Sequence, residues 1–179
     1  CLKDTKKADY EMLSSQRNNI PAAVWKDAKY VYDRDQHRWL IPIINEEGKI
    51  VNLLRWDAHE EKPSAKSTPA CTLHLIGMQK LKSVGPVHIC EGVWDGPTLE
   101  YFAGKAGWDT ATNSYLCSPG AGLNFDRYLD RFKGRDVRFY YHHDAAGYDG
   151  QAKAIATLEG TAKSAQGIHW PSDYAEGFD

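Results

Sequence analysis

The chain has 179 residues, of which 42% are hydrophobic, so it can bury a substantial core and form one domain or two small ones. Its 22 basic and 24 acidic residues give a formal net charge of -2, which excludes an overall basic field for nucleic acid or an anionic membrane but leaves room for a local basic face. No run of the sequence approaches the roughly 18 to 20 apolar residues of a membrane span. The four cysteines form no C-x-x-C motif, which predicts neither disulfides nor a cysteine zinc site. We therefore expect a cytoplasmic protein.

The first part of the sequence predicts a small antiparallel unit. Three strand-like runs follow one another, at residues 30–32, 39–44 and 50–56. The segment between the last two has the composition of a hairpin turn, with Gly48 available for positive φ. Residues 57–69 contain two prolines and alternating charges, which is typical of a loop between subdomains. We therefore expect an α+β subdomain over residues 1–69 and a second domain over residues 70–179.

From Val87 onward, strand-like and helix-like segments alternate. The predicted strands are nearly continuous apolar runs, as is typical of strands that are covered on both faces. In chain order the segments are a strand at 87–91, a helix at about 96–105, a strand at about 114–118, a helix at about 123–132, a strand at about 136–142, a helix at about 149–165 and a strand at about 167–170. Such alternation predicts an α/β, Rossmann-like fold with a mainly parallel sheet flanked by helices.

Glu91 ends the strand-like run that begins at Val87, and Gly92 follows it directly. Open parallel sheets place their ligands at the carboxyl ends of strands, so we expect this carboxylate to face the crevice, where Gly92 lets the chain turn and lets a ligand approach the backbone. The alternative is an acid that stabilises the start of the next helix and has no further role. Asp95 is better placed than Glu91 for that capping.

A second predicted strand end carries another acid, Asp144, in the sequence Asp144-Ala145-Ala146-Gly147. Proteins often hold Mg²⁺ with one or two carboxylates and substrate phosphates, so acids from two neighbouring strands predict a phosphoryl-transfer site at Glu91 and Asp144. The alternative is a turn aspartate that caps a helix beginning near Tyr148, although Asp149 is an equally suitable cap.

Two histidines precede Asp144 in the sequence. If the strand continues through them, alternation puts His142 on the same face as Asp144 and His143 on the other face. A His-x-Asp pair is compatible with Zn²⁺, Mn²⁺ or a general acid, whereas Mg²⁺ prefers an acid at the first position. The alternative for His142 is a partly buried side chain that is hydrogen bonded to nearby backbone.

Two further groups of residues are candidates for binding phosphate or nucleic acid. The turn Ser118-Pro119-Gly120-Ala121-Gly122 offers backbone N–H groups that suit a phosphate, with an ordinary strand-to-helix turn as the alternative. Five basic residues cluster in sequence as candidate DNA contacts, with a solvated basic face as the alternative: Arg127, Arg131, Lys133, Arg135 and Arg138.

Taken together, the segments 89–95, 118–122 and 144–147 resemble the Toprim domain, which bacterial-type primases share with topoisomerases and a group of nucleases. In that family the first strand ends in a catalytic glutamate followed by glycine, and a later strand ends in D-x-D, often continued as D-x-D-x-x-G. The E-G-x-x-D form of residues 91–95 is similar to primases and phage primase-helicases in particular. Three segments of the first half are similar to the subdomain that precedes Toprim in the primase core: 17–21, 40–43 and 47–51.

The resemblance implies a Toprim-like domain, truncated at its C-terminal end, in an enzyme that synthesises RNA primers on single-stranded DNA from nucleoside triphosphates, with a helicase in the same or another chain. It implies Glu91 as the catalytic residue and as a ligand, with His142, Asp144 and Asp179, of Mg²⁺ or Mn²⁺ rather than Zn²⁺. It also implies phosphate or nucleotide binding by a set of residues near the strand ends: Gly92, Asp95, Gly120, Gly122 and Gly147.

One departure from the family pattern concerns the metal site. Aligned on Gly147, the first aspartate of the family motif falls on His142, so this sequence reads H-x-D-x-x-G. The lost carboxylate weakens the expected affinity for a divalent cation, and Asp179 is an acid that would compensate. Two alternatives to a primase therefore remain: a Toprim-type metal-dependent nuclease, and a degenerate, non-catalytic Toprim module that binds DNA or a partner protein. The chain ends at Asp179 without an evident terminating element, so we expect it to be part of a longer protein.

Overall fold

The structure, a computed structural model, describes residues 5–57, 65–171 and 173–175. The chain divides into two compact units, Cys1–Gln79 and Lys80–Asp179. Within the described residues, each unit contains a four-stranded sheet, antiparallel in the first unit and parallel in the second. The division of the protein into functional domains at residues 69 and 70 stays a prediction.

Two helices open the first unit, α1 at Lys7–Gln16 and α2 at Ala22–Asp27. The first N–H groups of a helix have no partner within it, and Asp9 supplies one by accepting a hydrogen bond from the backbone N–H of Lys6 at 2.7 Å. The guanidinium of Arg34 donates to both carboxylate oxygens of Asp9, at 2.7 and 2.6 Å. Asp9 is only 8% exposed, and these partners explain how its charge is accommodated.

Four strands follow in the first unit and pair in chain order: β1 at Val31–Asp33, β2 at Arg38–Ile44, β3 at Ile50–Trp56 and β4 at Ala65–Ser67. The predicted hairpin between β2 and β3 is confirmed, since Gly48 has φ of 77° and the backbone N–H of Asn45 donates to the carbonyl of Lys49 at 2.9 Å. The prediction of a continuous loop over 57–69 is wrong in part, because β4 pairs with β3 there. The stretch 58–64 lies outside the described residues.

The second unit contains the parallel sheet in the order β6-β5-β7-β8. Its strands are β5 at Val87–Glu91, β6 at Ser114–Ser118, β7 at Asp136–Tyr140 and β8 at Ser164–Gly167. Every residue of β5 and β6 is buried, which explains why both have apolar centres in the sequence, although polar residues such as Glu91 and Ser118 lie at their ends. The predicted fold class is confirmed: a parallel sheet flanked by helices follows a small unit with antiparallel strands.

Three helices connect these strands: α3 at Asp95–Lys105, α4 at Leu129–Phe132 and α5 at Ala145–Leu158. The helix predicted at 123–132 is instead a 3-10 turn at Asp126–Tyr128 followed by the single turn of α4, because the side chain of Asn124 accepts from the N–H of Asp126 at 2.8 Å and delays the helix start.

Two other predicted boundaries are wrong. The helix predicted at 149–165 begins four residues earlier, at Ala145, because Asp144 caps it. The strand predicted at 167–170 lies at Ser164–Gly167, where it pairs with β7.

The parallel sheet is covered on both faces. Cys90 and Cys117 lie side by side on one face, where the N–H of Gly96 at the start of α3 donates to Sγ of Cys117 at 3.2 Å. On the other face the ring of Phe125 meets Phe139 of β7 edge to face, with centroids 5.4 Å apart. None of the helices in the part of the chain that the structure describes is long and apolar enough to cross a membrane.

Candidate active site

Glu91 lies at the carboxyl end of β5, which is flanked by β6 and β7, and is 9% exposed. Backbone groups from two other loops hold its carboxylate: the N–H of His142 donates to Oε2 at 3.3 Å, and the backbone of Ala121 also hydrogen bonds to it. Burial raises the pKa of Glu91, and the attraction of His142 opposes part of that shift. The site therefore has a fixed carboxylate that retains its proton to a higher pH than an exposed glutamate.

Gly92 makes the turn that brings Glu91 and Asp95 together. Its φ of 97° is a conformation that side chains rarely adopt, and a Cβ at this position would lie 2.2 Å from Oδ2 of Asp95. Its N–H donates to the carbonyl of Ser118 at 3.0 Å, which ties the turn to the end of β6. A glycine is thus required here, as the sequence indicated. Asp95 is the first residue of α3, and Trp94 rather than Asp95 occupies the N-cap position.

His142 lies between two acids. Its Nδ1 is 3.8 Å from Oε1 of Glu91, and its Nε2 is 4.0 Å from Oδ2 of Asp95. The premise that placed His142 and Asp144 on one strand face is wrong, because β7 ends at Tyr140 and strand alternation does not extend to either residue. The structure nevertheless brings together three residues that the sequence singled out, namely Glu91, Asp95 and His142.

Asp144 caps α5. Its Oδ1 accepts a hydrogen bond from the N–H of Gly147 at 2.6 Å, so the capping alternative describes this residue, and Asp149 is not the cap. The negative charge of Asp144 still contributes to raising the pKa of Glu91, which places the two carboxylates within electrostatic range of each other. A metal shared by Glu91 and Asp144 stays a prediction.

Two glycines of α5 let neighbouring loops pack against the helix. A Cβ on Gly147 would lie 2.3 Å from the backbone oxygen of His142, and a Cβ on Gly150 would lie 2.4 Å from the backbone oxygen of Ala121. Both contacted residues are those whose backbones bind Glu91. The sequence reasoning missed Ala121 and Gly150, although a second glycine three residues after Gly147 is a signal for close packing on the same helix face.

The turn 118–122 was predicted to present N–H groups to a phosphate. The backbone of Ala121 instead hydrogen bonds to Glu91, and the carbonyl of Gly120 accepts from the hydroxyl of Ser118. Gly122 is exposed and has open space around it. Phosphate binding at Gly120 and Gly122 stays a prediction.

Arg135 differs from the other four basic residues that were predicted to contact DNA, because its guanidinium binds the backbone of another segment. Its guanidinium donates to the backbone carbonyls of Lys82 at 2.8 Å, Val84 at 3.0 Å and Gly85 at 2.8 Å. Burial lowers the pKa of this guanidinium. Arg135 therefore holds the segment before β5, and we do not include it among the DNA contacts that we propose. The remaining four side chains belong to exposed residues and stay candidates: Arg127, Arg131, Lys133 and Arg138.

The side chains that the structure describes at this site are of the types that bind divalent cations, but they are not arranged as a metal site. The carboxylates of Glu91, Asp95 and Asp144 are the hard oxygen ligands that Mg²⁺ and Mn²⁺ prefer, and an imidazole suits Mn²⁺ better than Mg²⁺. Among the described residues, no three His, Cys, Asp or Glu side chains form a group that could hold a metal ion. His142 turns a different ring nitrogen towards each acid, so these three do not share one ion as arranged. Asp179 lies outside the described residues.

No protein-family profile and no curated protein matches this sequence. Solved structures do match its fold. The DnaG primase catalytic domain bound to single-stranded DNA aligns with a TM-score of 0.69 and 14% identity, over 96% of this chain and 67% of that one. The primase fragment of the bacteriophage T7 primase-helicase aligns with a TM-score of 0.67 and 14% identity, over 87% of this chain and 63% of that one.

The RNA polymerase domain of the Mycobacterium tuberculosis primase DnaG aligns with a TM-score of 0.64 and 15% identity, over 96% of this chain and 71% of that one. The chain thus has the fold of primase catalytic cores and spans between 63% and 71% of the length of these three structures. At this identity the likeness concerns the fold alone.

Proposed function

We propose that this chain is the catalytic part of a primase-like enzyme that joins ribonucleotides on a single-stranded DNA template. The observation that carries the proposal is the position of Glu91, a buried carboxylate at a strand end, fixed by two loops and facing Asp95 and His142, in a chain with a primase-core fold. Nucleoside triphosphates would be its substrates and a helicase, in the same or another chain, its partner. The proposal places the protein in the cytoplasm, where replication takes place.

In this mechanism Glu91 accepts the proton of the attacking hydroxyl at Oε1. Burial raises the pKa of Glu91, which makes its ionised form a stronger base than an exposed carboxylate. The N–H of His142 holds Oε2, so the carboxylate does not have to reorient during the reaction. The ring of His142 lies near both Glu91 and Asp95, at 3.8 and 4.0 Å.

Glu91, Asp95 and Asp144 would hold Mg²⁺ or Mn²⁺ together with the phosphates of the nucleotide, and Asp179 is a further candidate ligand. A cation bound there would stabilise the negative charge that develops on the α-phosphate as the hydroxyl oxygen bonds to it and on the pyrophosphate that leaves. The backbone at Gly92, Gly120, Gly122 and Gly147 would approach the phosphates. The exposed basic residues would bind the template backbone: Arg127, Arg131, Lys133 and Arg138.

The test is templated incorporation of labelled ribonucleotides on single-stranded DNA, with Mg²⁺ or Mn²⁺ supplied separately. Glu91→Gln should lower the incorporation rate by about 10²- to 10⁴-fold, which is the usual contribution of a positioned base. Asp149→Asn is a matched control, because it neutralises an exposed acid on α5 outside the site. If Glu91→Gln incorporates nucleotides at the rate of the unaltered chain, the assignment of Glu91 is wrong.

A second candidate function is a non-catalytic module that binds DNA. Two observations favour it: Asp144 uses Oδ1 to cap α5, and the described residues contain no three-ligand metal group. It predicts that the unaltered chain binds an oligonucleotide but neither incorporates nucleotides nor binds Mn²⁺ in a calorimetric titration. Cleavage of the labelled strand in the same reactions would instead identify the nuclease alternative.

A further inference from the structure

A groove of about 450 Å³ lies along α5 beside the end of β8. The residues that line it are Tyr148, Gln151, Ala152, Ile155, Gly167 and His169. The first four recur at the spacing of one helix face, so the groove runs along a single side of α5. Gly167 lines the groove without a side chain. A Cβ at this position would lie 1.9 Å from Nε2 of Gln151, so a larger residue would not fit without a shift of that side chain.

One end of the groove is an aromatic platform. The rings of Tyr148 and His169 are nearly parallel, at 20°, with centroids 6.3 Å apart. The segment that carries His169 is fixed on both sides, because Gln151 donates to the carbonyl of Ile168 at 3.3 Å and Trp170 donates to the carbonyl of Tyr141 at 2.7 Å. The platform is therefore preorganised for a flat ligand.

The platform is connected to the candidate active site. The hydroxyl of Tyr148 is hydrogen bonded to Nδ1 of His143 at 2.6 Å, and His143 is the direct neighbour of His142. The loop that carries His142 thus also contacts one end of the groove. Every base has a flat face, and aromatic side chains bind single strands by stacking on such faces.

We propose that this groove is a nucleobase subsite, in which one base of a single-stranded DNA stacks on Tyr148 and His169. The proposal rests on the proposed function, because it takes the strand held at Glu91 as its ligand. Ala152 and Ile155 extend the platform with apolar surface that suits the rest of the base. A double-stranded segment does not fit, since its bases are already stacked and paired.

The experiment compares the binding of a labelled oligothymidylate with that of an abasic oligonucleotide of the same length, by fluorescence anisotropy at one salt concentration. His169→Ala should weaken binding of the oligothymidylate on the order of tenfold, because a stacking partner is lost, and should leave binding of the abasic strand unchanged. Trp108→Ala is the matched control, because Trp108 is another exposed aromatic residue, 46% exposed, outside the groove.

Two results would overturn the subsite. They are an unchanged affinity of His169→Ala for the oligothymidylate, and an equal loss for the abasic strand. The measurement needs no catalysis, so a chain that does not incorporate nucleotides affects only the proposed function. Conversely, a chain that makes primers but binds both oligonucleotides equally well has no base in this groove.

Discussion

The turn that follows β5 and the turn that precedes α5 each present an acid, and the two acids are positioned by different parts of the structure. Glu91 ends a buried strand, and backbone groups of His142 and Ala121, far away in sequence, bind its carboxylate. Asp144 binds the N–H of Gly147 within its own turn. Glu91 is therefore held by tertiary contacts, whereas Asp144 is held by the local start of a helix. An acid at a predicted strand end is thus not sufficient to define a site, because the helix that follows competes for its oxygens.

Gly147 packs the first turn of α5 against the backbone of His142, and a side chain there should disturb this turn. Gly147→Ala should lower the free energy of unfolding by about 1 to 3 kcal/mol, because the added Cβ would lie 2.3 Å from the backbone oxygen of His142 and the packing there has to shift. Urea denaturation measures the difference. Gly122→Ala is the control, since a Cβ there meets nothing within 4 Å. Equal stability of Gly147→Ala and the unaltered chain would contradict the close contact between Gly147 and His142.

Asp144 is expected to tolerate asparagine as a cap but not alanine. Asp144→Ala should lower the free energy of unfolding by about 1 kcal/mol, and Asp144→Asn should leave it nearly unchanged, because asparagine accepts the same hydrogen bond. Thermal or urea denaturation of both variants measures the cap.

Nucleotide incorporation by Asp144→Asn then separates the two roles of this residue. The proposed function predicts a loss of orders of magnitude in the rate at preserved stability, since a carboxylate that helps to hold a cation is removed. Full activity of Asp144→Asn would restrict Asp144 to its role as a cap and would leave Glu91 and Asp95 as the acids of the site.

The smallest expected effect is the dependence of stability on pH at Glu91. Its pKa in the folded protein is raised above the ordinary value of 4.5, mainly by burial. The stability that protonated Glu91 contributes is therefore fully present below pH 4.5 and is lost as the pH rises through the folded pKa. Glu91→Gln should be more stable than the unaltered chain at pH 7, and this gap should shrink towards pH 4.

Urea denaturation at both pH values measures that gap, and Asp149→Asn should show no comparable change because Asp149 is exposed. A gap that is equal at pH 7 and pH 4, or that has the opposite sign, would show that burial does not control Glu91.

Much of the second sheet is predictable from sequence, and the reason is burial. The bounds of β5 and β6 agree with the predicted 87–91 and 114–118, because strands covered on both faces form continuous apolar runs. The start of α5 was not predictable in the same way. Asp144 and Asp149 are both suitable caps by residue type, so residue type alone does not show where α5 begins.

The sequence predicted side chains of the candidate site but not the backbone groups that bind them. The motif at Glu91, Gly92 and Asp95 identified residues that do lie together, and their catalytic and binding roles stay predictions. The backbone donors at Ala121 and His142 have no sequence signature, because every residue type except proline carries the same N–H group. The sequence also did not reveal the backbone carbonyls that Arg135 binds, and its role as a DNA contact stays a prediction.

Arg135 also joins two distant segments of the second unit. It binds the carbonyls of Lys82 and Gly85, which precede it by 53 and 50 residues, so the contact closes a long loop at a cost in chain entropy. The entry to β5 is therefore held by the residue directly before β7. His142, just beyond β7, completes the other end of β5 by binding Glu91. Both ends of β5, the strand that ends in Glu91, are therefore held by residues that flank β7, namely Arg135 and His142.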